Sequence, residues 1–486
     1  MITLLVSLAS AGECTVPTPC ATGHAFHVDR DALVDPDCAS VLPIRRAPIA
    51  TPARRRGLEK QTRDSYGEFP NAYESDNFII KWGINDRRID DFAVQRFSDA
   101  LEASWDVFID EWGYDMPASA DAYKFNVYIG NTGSGTPDDL GAGGYYWTDD
   151  DGLPMVVVNQ DSLNDPGFLT TLASHEFFHA IQDANGLFAY DEISGWWWET
   201  TAIWVEHQVF PEADGWPVFL YWFAIRPELS VGHFEYPTTG TPEQFHQYGA
   251  FVYVEHVAQR HGGPELVYQS FDRSDGTNTP MQVLEELIRE NGGDIEASFG
   301  EFTLRNGTWD YPTEDWFEDW IDAYGGLDAS NSHRTAGVIL TETDTPESEG
   351  QHPPRTYGAN YFELIDPSDS FEITFNGDQD VTWHVGVSTQ TGTTHDQFTM
   401  DITDTSGTLV VDGLDGARET WIVVAPTGPL ADDGTEYTFT LEVTNLIEDG
   451  PGNGDDGPKS CGCTSAPGPG FLLFATPLLI GLRRRR

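Results

Sequence analysis

Basic residues are scarce relative to acidic ones in this chain of 486 residues. Lysine and arginine number 26 against 79 aspartates and glutamates, so the formal net charge is −53. The lysines stand at Lys60, Lys81, Lys124 and Lys459. A surface this acidic repels phosphate backbones and anionic lipid, which excludes nucleic acid as a partner and argues against binding to a membrane through a basic patch.

Cysteine is missing from the long central part of the chain. The five cysteines lie near the two ends, at Cys14, Cys20, Cys38, Cys461 and Cys463. This distribution excludes a disulfide-stapled core, a cysteine nucleophile and a cysteine-rich zinc site between them, although one N-terminal disulfide fits an oxidising compartment. Long apolar runs are lacking as well, since the run at 471–482 is too short for a comfortable membrane span.

One short motif carries most of the chemical information. His175-Glu176-Phe177-Phe178-His179 follows an uncharged stretch and has the pattern of a buried helix. Histidines four residues apart lie on one helix face, so both imidazoles can reach a single ion, with tetrahedral zinc as the natural occupant. Glu176 lies between them and can act as general base toward a zinc-bound water. The alternative interpretation is two core histidines beside a surface glutamate.

A second helical pattern supplies the expected third ligand. Glu199 follows three consecutive tryptophans and belongs to an apolar stretch that also contains Glu206. A carboxylate in such surroundings needs a strong compensating partner, and a metal ion is one. His175, His179 and Glu199 would form an open catalytic zinc site with one position left for water.

The combination of HExxH and Glu199 resembles the gluzincin metallopeptidases, the thermolysin- and collagenase-like zincins whose third ligand is a glutamate on a second helix. It is closest in character to metallopeptidase-like proteins of myxobacteria. This resemblance covers about residues 75–330. It implies a zinc endopeptidase with protein or peptide substrates. One departure concerns the partner of His175: thermolysin has an acid four residues after its ligand glutamate, whereas this chain has Ile203, which leaves Glu206 as a candidate.

The resemblance also implies where the substrate is bound, and the chemistry of hydrolysis at zinc indicates which side chains could stabilise the transition state. Gly143, Gly144, Tyr145 and Tyr146 match the Gly-Gly-aromatic edge strand on which zincins hold an extended peptide. Tyr248 in the Tyr-Gly-Ala-Phe segment is the first candidate for stabilising the oxyanion, followed by His246 and then His233. Core packing is an equally good explanation for Tyr248.

The expected fold class is an α+β zincin-like catalytic domain followed by an all-β sandwich. The first part has strands predicted at 78–82 and 125–129, a hairpin over 141–158, a helix at 90–112, and one long helix from Phe245 to near Gly262. After Ala329 the pattern changes to short alternating segments separated by turn residues, which predicts the sandwich. The predicted boundaries are 67–330 for the catalytic domain and 335–446 for the sandwich.

The chain ends carry candidate targeting segments. Residues 1–11 are predicted to be a signal peptide, with a buried first strand as the alternative, and residues 12–66 a propeptide or linker. Residues 447–460 form a Gly/Pro/Asp linker. The tail 461–486 combines cysteines, a short apolar run and four arginines, and it resembles the myxobacterial C-terminal sorting signal (MYXO-CTERM). That resemblance implies export, handling by sorting machinery, and retention at the outer cell surface.

These observations together predict an exported zinc metallopeptidase. Two alternatives stay open, a surface binding or adhesion protein with an inactive zincin fold, and a zinc hydrolase acting on a non-peptide bond. A second cofactor, Ca²⁺, is conceivable at the acidic positions of two loops, which are Asp149, Asp150, Asp151, Asp183, Asp191 and Glu192, although such positions are more often simply solvated.

Overall fold

The computed structural model describes most of the chain between residues 60 and 446. The described residues are 2–4, 60–66, 69–84, 89–133, 135–213, 218–236, 240–311, 317, 321, 334–339, 343–344, 352–365, 367–414, 416–417, 419–430 and 434–446. The predicted signal peptide after residue 4, the propeptide up to residue 59, the linker and the sorting tail lie outside these residues.

A six-stranded mixed sheet forms the base of the N-terminal part. Its strands are β1 (Ile2–Leu4), β2 (Asn71–Glu74), β3 (Phe78–Trp82), β4 (Phe125–Ile129), β5 (Gly144–Thr148) and β6 (Pro154–Val158). They are ordered β1-β5-β6-β4-β3-β2. Strands β3, β4 and β6 run parallel, and β5 returns antiparallel to β6 as the predicted hairpin. Strands β3, β4 and β6 are almost wholly buried, which explains their continuous apolar sequences.

Helices fill the rest of this part of the chain. They are α1 (Asp91–Trp105), α2 (Pro166–Asn185), α3 (Gly195–Val209), α4 (Val218–Ala224), α5 (Pro242–Gly249), α6 (Phe251–His261), α7 (Pro264–Asp272), α8 (Pro280–Glu290) and α9 (Ile295–Gly307). The helix predicted at 90–112 changes to a π-helical turn over Asp106–Glu111. The fold is therefore mixed α+β in this region, in agreement with the coarse prediction.

Two helices at the centre of the core, α2 and α3, position the site. Asp165 caps α2 by accepting hydrogen bonds from the backbone N–H groups of Gly167 and Phe168, and Pro166 occupies the first turn. Helix α3 is buried along almost its whole length, including Trp196, Trp197 and Trp204. Helices that are apolar on every side belong inside a core, so the polar residues they carry there need a specific partner.

The prediction of one long helix from Phe245 to near Gly262 is wrong. The chain bends at Ala250, where ψ is −4°, and this bend separates α5 from α6. The reason lies at Gly249, because a Cβ atom there would come within 2.2 Å of the Phe219 carbonyl oxygen. Helix α4 thus packs directly against the backbone at the end of α5, and glycine permits the bend.

Two sheets in the C-terminal part face each other as a sandwich. One has the order β13-β10-β15-β8, and the other has the order β12-β11-β14-β9-β7. The strands are β7 (Thr335–Ile339), β8 (Thr343–Asp344), β9 (Asn360–Ile365), β10 (Ser370–Gly377), β11 (Thr382–Thr391), β12 (Thr394–Thr399), β13 (Ser406–Asp412), β14 (Glu419–Thr427) and β15 (Phe439–Asn445). Apolar side chains between the sheets, among them Phe371, Ile373, Val387 and Leu441, form a separate core.

The sandwich shares its outer face with the helical part. Helix α9 lies against β11 and β14, and the Tyr361 hydroxyl donates a hydrogen bond to the Thr303 carbonyl at 3.1 Å. Described residues up to Leu446 accordingly belong to one compact unit. In the part of the chain that the structure describes, every helix is too short or too polar to cross a bilayer.

Candidate metal centre

The two histidines of the motif meet on one face of α2. Their ring centroids are 4.8 Å apart, and both side chains are fully buried. Helix α3 brings a carboxylate to the same point, with Glu199 Oε2 at 3.4 Å from His175 Nε2 and 3.9 Å from His179 Nε2. One ligand atom from each of the three residues lies within 4.8 Å of the others. The group predicted from the sequence is therefore assembled and could hold a metal ion.

The far side of each imidazole is held by a hydrogen bond. His175 Nδ1 lies 2.8 Å from Glu206 Oε1, and His179 Nδ1 lies 2.6 Å from Gln182 Oε1. Glu206 is the candidate that replaces an acid four residues after Glu199. Both Nε2 atoms consequently face Glu199, and metal-binding histidines in proteins are typically held in this way.

Charge balance tests whether a cation fits here. Glu176, Glu199 and Glu206 are all buried, and among the described residues none of them forms an ion pair with lysine or arginine. The buried atoms His175 Nε2, His179 Nε2 and Glu199 Oε2 have no hydrogen-bond partner among the described residues. Buried carboxylates are costly without a compensating charge, and one cation between these three atoms would satisfy them together. The residues fit a metal ion.

Burial and neighbouring charges shift the titration of these groups. Burial raises the pKa of the Glu176 carboxyl to about 8, and the Glu199 carboxylate contributes in the same direction. Burial alone would lower the pKa of His175, but the neighbouring carboxylates of Glu199 and Glu206 raise it to about 10. Burial holds the pKa of His179 well below its usual value. The site thus attracts positive charge to the position between His175 and Glu199.

Glu176 lies against the backbone of β5. A Cβ atom on Gly144 would stand 3.0 Å from Glu176 Cγ and 3.2 Å from its Oε1, so a glycine at this position makes room for the carboxylate. The carboxylate is fully buried, and it is close enough to Glu199 for the two charges to interact. The predicted general base is thereby placed between the metal-binding group and the strand expected to bind substrate.

Strand β5 contains most of the expected substrate segment. Gly143 immediately precedes it, and its carbonyl accepts hydrogen bonds from Ser162 Oγ and the Asn159 N–H. Tyr145 and Tyr146 point to opposite faces, and their hydroxyls donate to the Asp138 carbonyl and to Asp183 Oδ2. On its outer side, Gly144–Tyr146 pairs antiparallel with Ile2–Leu4. Main-chain pairing with an extended segment is therefore possible at this edge.

The two helix residues predicted to stabilise the transition state, Tyr248 and His246, are not both adjacent to the metal-binding group. Tyr248 is fully buried, with its ring centroid 6.5 Å from that of His175. His246 is two residues earlier on α5, and its ring instead contacts Phe223 and His233, at 4.8 and 6.1 Å. Side chains two apart on a helix point in different directions, which explains this separation.

Sequence reasoning missed a tyrosine that contacts a ligand directly. The Tyr190 hydroxyl donates a 2.6 Å hydrogen bond to Glu199 Oε1, and its ring packs edge-on against Trp198, Phe234 and Tyr236. Tyr190 is only partly buried. It lies in the loop between α2 and α3, where no periodicity marks it; its position between the two motif segments is the only available signal.

Three of the six acidic positions considered for calcium accept hydrogen bonds in the structure, namely Asp149, Asp183 and Asp191. Asp149 pairs with Arg63 and Ser65 and accepts backbone hydrogen bonds within its own turn. Asp183 accepts from Tyr146, and Asp191 accepts from the N–H groups that precede α3. Calcium binding at these positions stays a prediction.

Comparison with known proteins identifies a family, but the description of this family names no activity. The model of a family described as "Family of unknown function (DUF6055)" matches residues 44–427. No curated protein matches the chain.

Two solved structures show only weak similarity. A pre-peptidase C-terminal domain of collagenase from Bacillus anthracis is 9% identical, covers 24% of this chain and 99% of its own, and has a TM-score of 0.17. A family GH115 4-O-methyl-α-glucuronidase is also 9% identical and covers 59% of this chain, whereas this chain spans 39% of its length, with a TM-score of 0.14. Similarities this low carry no argument about fold or function.

Proposed function

We propose that this chain, which belongs to the family of unknown function DUF6055, is a zinc metallopeptidase of gluzincin type. The observation that carries the proposal is the position of Glu176: its carboxylate is buried beside the His175–His179–Glu199 group and against a strand edge that can pair with an extended chain. A site that only stores or structurally uses a metal would not need this carboxylate.

Each residue has a distinct task in the proposed reaction. His175 and His179 through Nε2, and Glu199 through a carboxylate oxygen, would hold the ion, and two nitrogens with one oxygen are a donor set typical of catalytic zinc. When bound, zinc would supply Lewis acidity toward a substrate carbonyl and toward water. Glu176 would accept a proton from the attacking water and later deliver it to the leaving amine.

Strand β5 supports a peptide as the substrate. The Gly144 backbone approaches Glu176 without an intervening side chain, so a chain paired with β5 would pass close to the general base. The antiparallel pairing of Ile2–Leu4 with Gly144–Tyr146 supports this role for the strand. A substrate bound in the same way would take the place of that segment, and main-chain hydrogen bonds would align its scissile bond.

Tyr190 is the residue we assign to the developing oxyanion. It is partly accessible and already touches Glu199, whereas Tyr248 is fully buried beneath His175. Replacing Tyr190 with phenylalanine should lower kcat by about 10²-fold, because one oxyanion donor is lost, and should leave KM nearly unchanged when zinc is saturating. Saturating zinc is needed because the substitution also removes the hydrogen bond that Tyr190 donates to Glu199. The matched Tyr248→Phe variant should lose much less of its kcat. Steady-state kinetics on both variants measures the difference. A larger loss in Tyr248→Phe would reverse the assignment.

The segments at the chain ends support export to the cell surface as part of this proposal. The tail 461–486 has the order of cysteines, short apolar run and arginines described above. Removal of such a tail, with retention of the protein at the cell surface, would leave the peptidase facing the outside of the cell. Tracking the mass and location of the mature protein would test this.

Hydrolysis of a generic protein substrate tests the function. We expect the purified chain to cleave casein, to lose this activity on chelation of divalent metal, and to recover it when zinc is returned. Zinc binding without cleavage of casein or a peptide library would contradict the peptidase and favour an inactive surface binding protein. Cleavage that resists chelation would contradict a metal-dependent reaction.

A further inference from the structure

A buried amide links the two helices that carry the metal-binding group. Gln182 lies on α2 and is 1% exposed. Its Oε1 is 2.6 Å from His179 Nδ1, and its Nε2 lies 2.9 Å from the Trp198 carbonyl and 2.8 Å from Thr201 Oγ1, both on α3. The Trp198 carbonyl belongs to the peptide unit that leads directly into Glu199.

The chemistry of these partners determines the direction of every hydrogen bond. A backbone carbonyl can only accept, so the amide NH₂ of Gln182 must face Trp198. Thr201 Oγ1 donates to the Trp197 carbonyl at 2.6 Å and is therefore free to accept from the same NH₂ group. The amide oxygen then faces His179 Nδ1, and because this oxygen only accepts, Nδ1 must carry the proton.

This chain of bonds has a consequence for metal binding. Neutral imidazole carries one proton, so a proton on Nδ1 leaves a lone pair on Nε2, the atom that faces Glu199 and His175. Without Gln182 the ring would be able to place its proton on Nε2 or to rotate, and either change would weaken coordination.

We infer that Gln182 is a positioning residue that uses the Trp198 carbonyl of α3 to set the tautomer and orientation of His179 for metal binding. The Trp198 carbonyl, which orients His179 through Gln182, and the Glu199 carboxylate come from adjacent residues of α3. This relay of hydrogen bonds from α3 through Gln182 to His179 therefore also couples the spacing of α2 and α3 to the geometry of the site. His175 differs, because its Nδ1 is held by the carboxylate of Glu206 rather than by a neutral amide.

The first test observes the tautomer without any metal or substrate. Full-length chain labelled with ¹⁵N-histidine and stripped of metal should show His179 as the Nδ1–H tautomer, with the signal identified by its loss in His179→Asn. In Gln182→Met, which keeps the volume and removes both polar atoms, the signal should shift toward the Nε2–H form. Detection of the Nε2–H tautomer in the wild type would overturn the inference before any variant is considered.

The second test measures zinc affinity by competition with a chromophoric chelator. Gln182→Met should bind zinc about 10–100-fold more weakly, the range expected when a partner of a metal ligand is removed. Thr201→Val removes one of the two groups on α3 that accept hydrogen bonds from Gln182, and it should weaken zinc binding by less than Gln182→Met does. It replaces Gln182→Met as the test variant if that variant does not fold. The matched control is Ser270→Ala, which removes the buried 2.9 Å hydrogen bond from Trp197 Nε1 on the same helix and should leave zinc affinity unchanged.

The inference rests on the proposed metal site, and the two can fail separately. If wild-type chain binds no zinc yet His179 is Nδ1–H, the metal site fails while the hydrogen-bond relay stands as a structural feature only, which overturns the positioning role. If zinc binds and Gln182→Met retains wild-type affinity and tautomer, the relay fails and the metal site stands. Equal losses of zinc affinity in Gln182→Met and Ser270→Ala would indicate general destabilisation of the fold. That result would also overturn the positioning role of Gln182.

Discussion

Replacement of Glu176 by glutamine should reduce peptide hydrolysis by about 10³-fold or more while the chain retains its zinc. The substitution keeps the shape of the side chain and its fit against Gly144, but it removes the group that accepts a proton from the attacking water. Loss of a general base typically costs 10²–10⁴-fold in rate. Because Glu176 is not among the three residues that would hold the ion, metal content should be unaffected. Initial rates on a fluorogenic peptide, with zinc measured on the same samples, check both parts.

Glu255→Gln provides the matched control for this substitution. Glu255 is also a buried glutamate, but its carboxylate accepts hydrogen bonds from two side chains, Trp204 Nε1 on α3 and Gln259 Nε2 on α6. Its replacement should leave the rate per folded molecule close to that of the wild type. A Glu176→Gln variant that still cleaves within tenfold of the wild type would show that another group takes the proton.

Replacement of His179 by alanine should abolish zinc binding and remove the stabilisation that zinc provides. An ion bound only by the folded state stabilises it by about 4 kcal/mol when free ligand is a thousand times Kd. The buried acidic side chains of Glu176, Glu199 and Glu206 would also lose the cation that compensates them, which increases the effect. Thermal unfolding of the wild type should therefore shift to lower temperature on chelation, whereas His179→Ala should be insensitive to chelator.

The corresponding control removes a different buried histidine. His256 is fully buried on α6 and its Nε2 is 3.2 Å from Ser298 Oγ, away from the metal-binding group. His256→Ala leaves a cavity of the same kind, so it should unfold at lower temperature but keep the response to chelator. If both alanine variants kept that response, the ion would bind elsewhere on the chain.

The residues of the candidate metal-binding group could be predicted from sequence because most of the information is local. A helix places residues four apart on one face, so His175 and His179 converge whatever surrounds them. Glu199 required a second, separate argument, namely that a carboxylate in a run of tryptophans needs a compensating charge. Strands β3 and β4 were predicted at their observed positions for a similar reason, since their β-branched and aromatic residues form short runs bounded by turns.

Features that depend on tertiary approach could not be predicted. Gln182 has no unusual spacing, and its role appears only when α3 presents the Trp198 carbonyl to it. Tyr190 lies in a loop whose path is set by contacts with Phe234 and Tyr236. The bend at Ala250 arises from the close approach of α4 to Gly249, and helical periodicity alone carries no trace of that contact. The periodicity of a single helix or strand could thus be predicted from the sequence, whereas these three contacts between elements could not.

The most direct test of the central claim is the anomalous scattering of crystals of the full chain, measured on both sides of the zinc absorption edge. We expect one strong peak between α2 and α3, about 2.0–2.1 Å from the Nε2 atoms of His175 and His179 and at bonding distance from a Glu199 oxygen. Zinc-loaded crystals without a peak at this position, or with zinc bound only elsewhere, would contradict it.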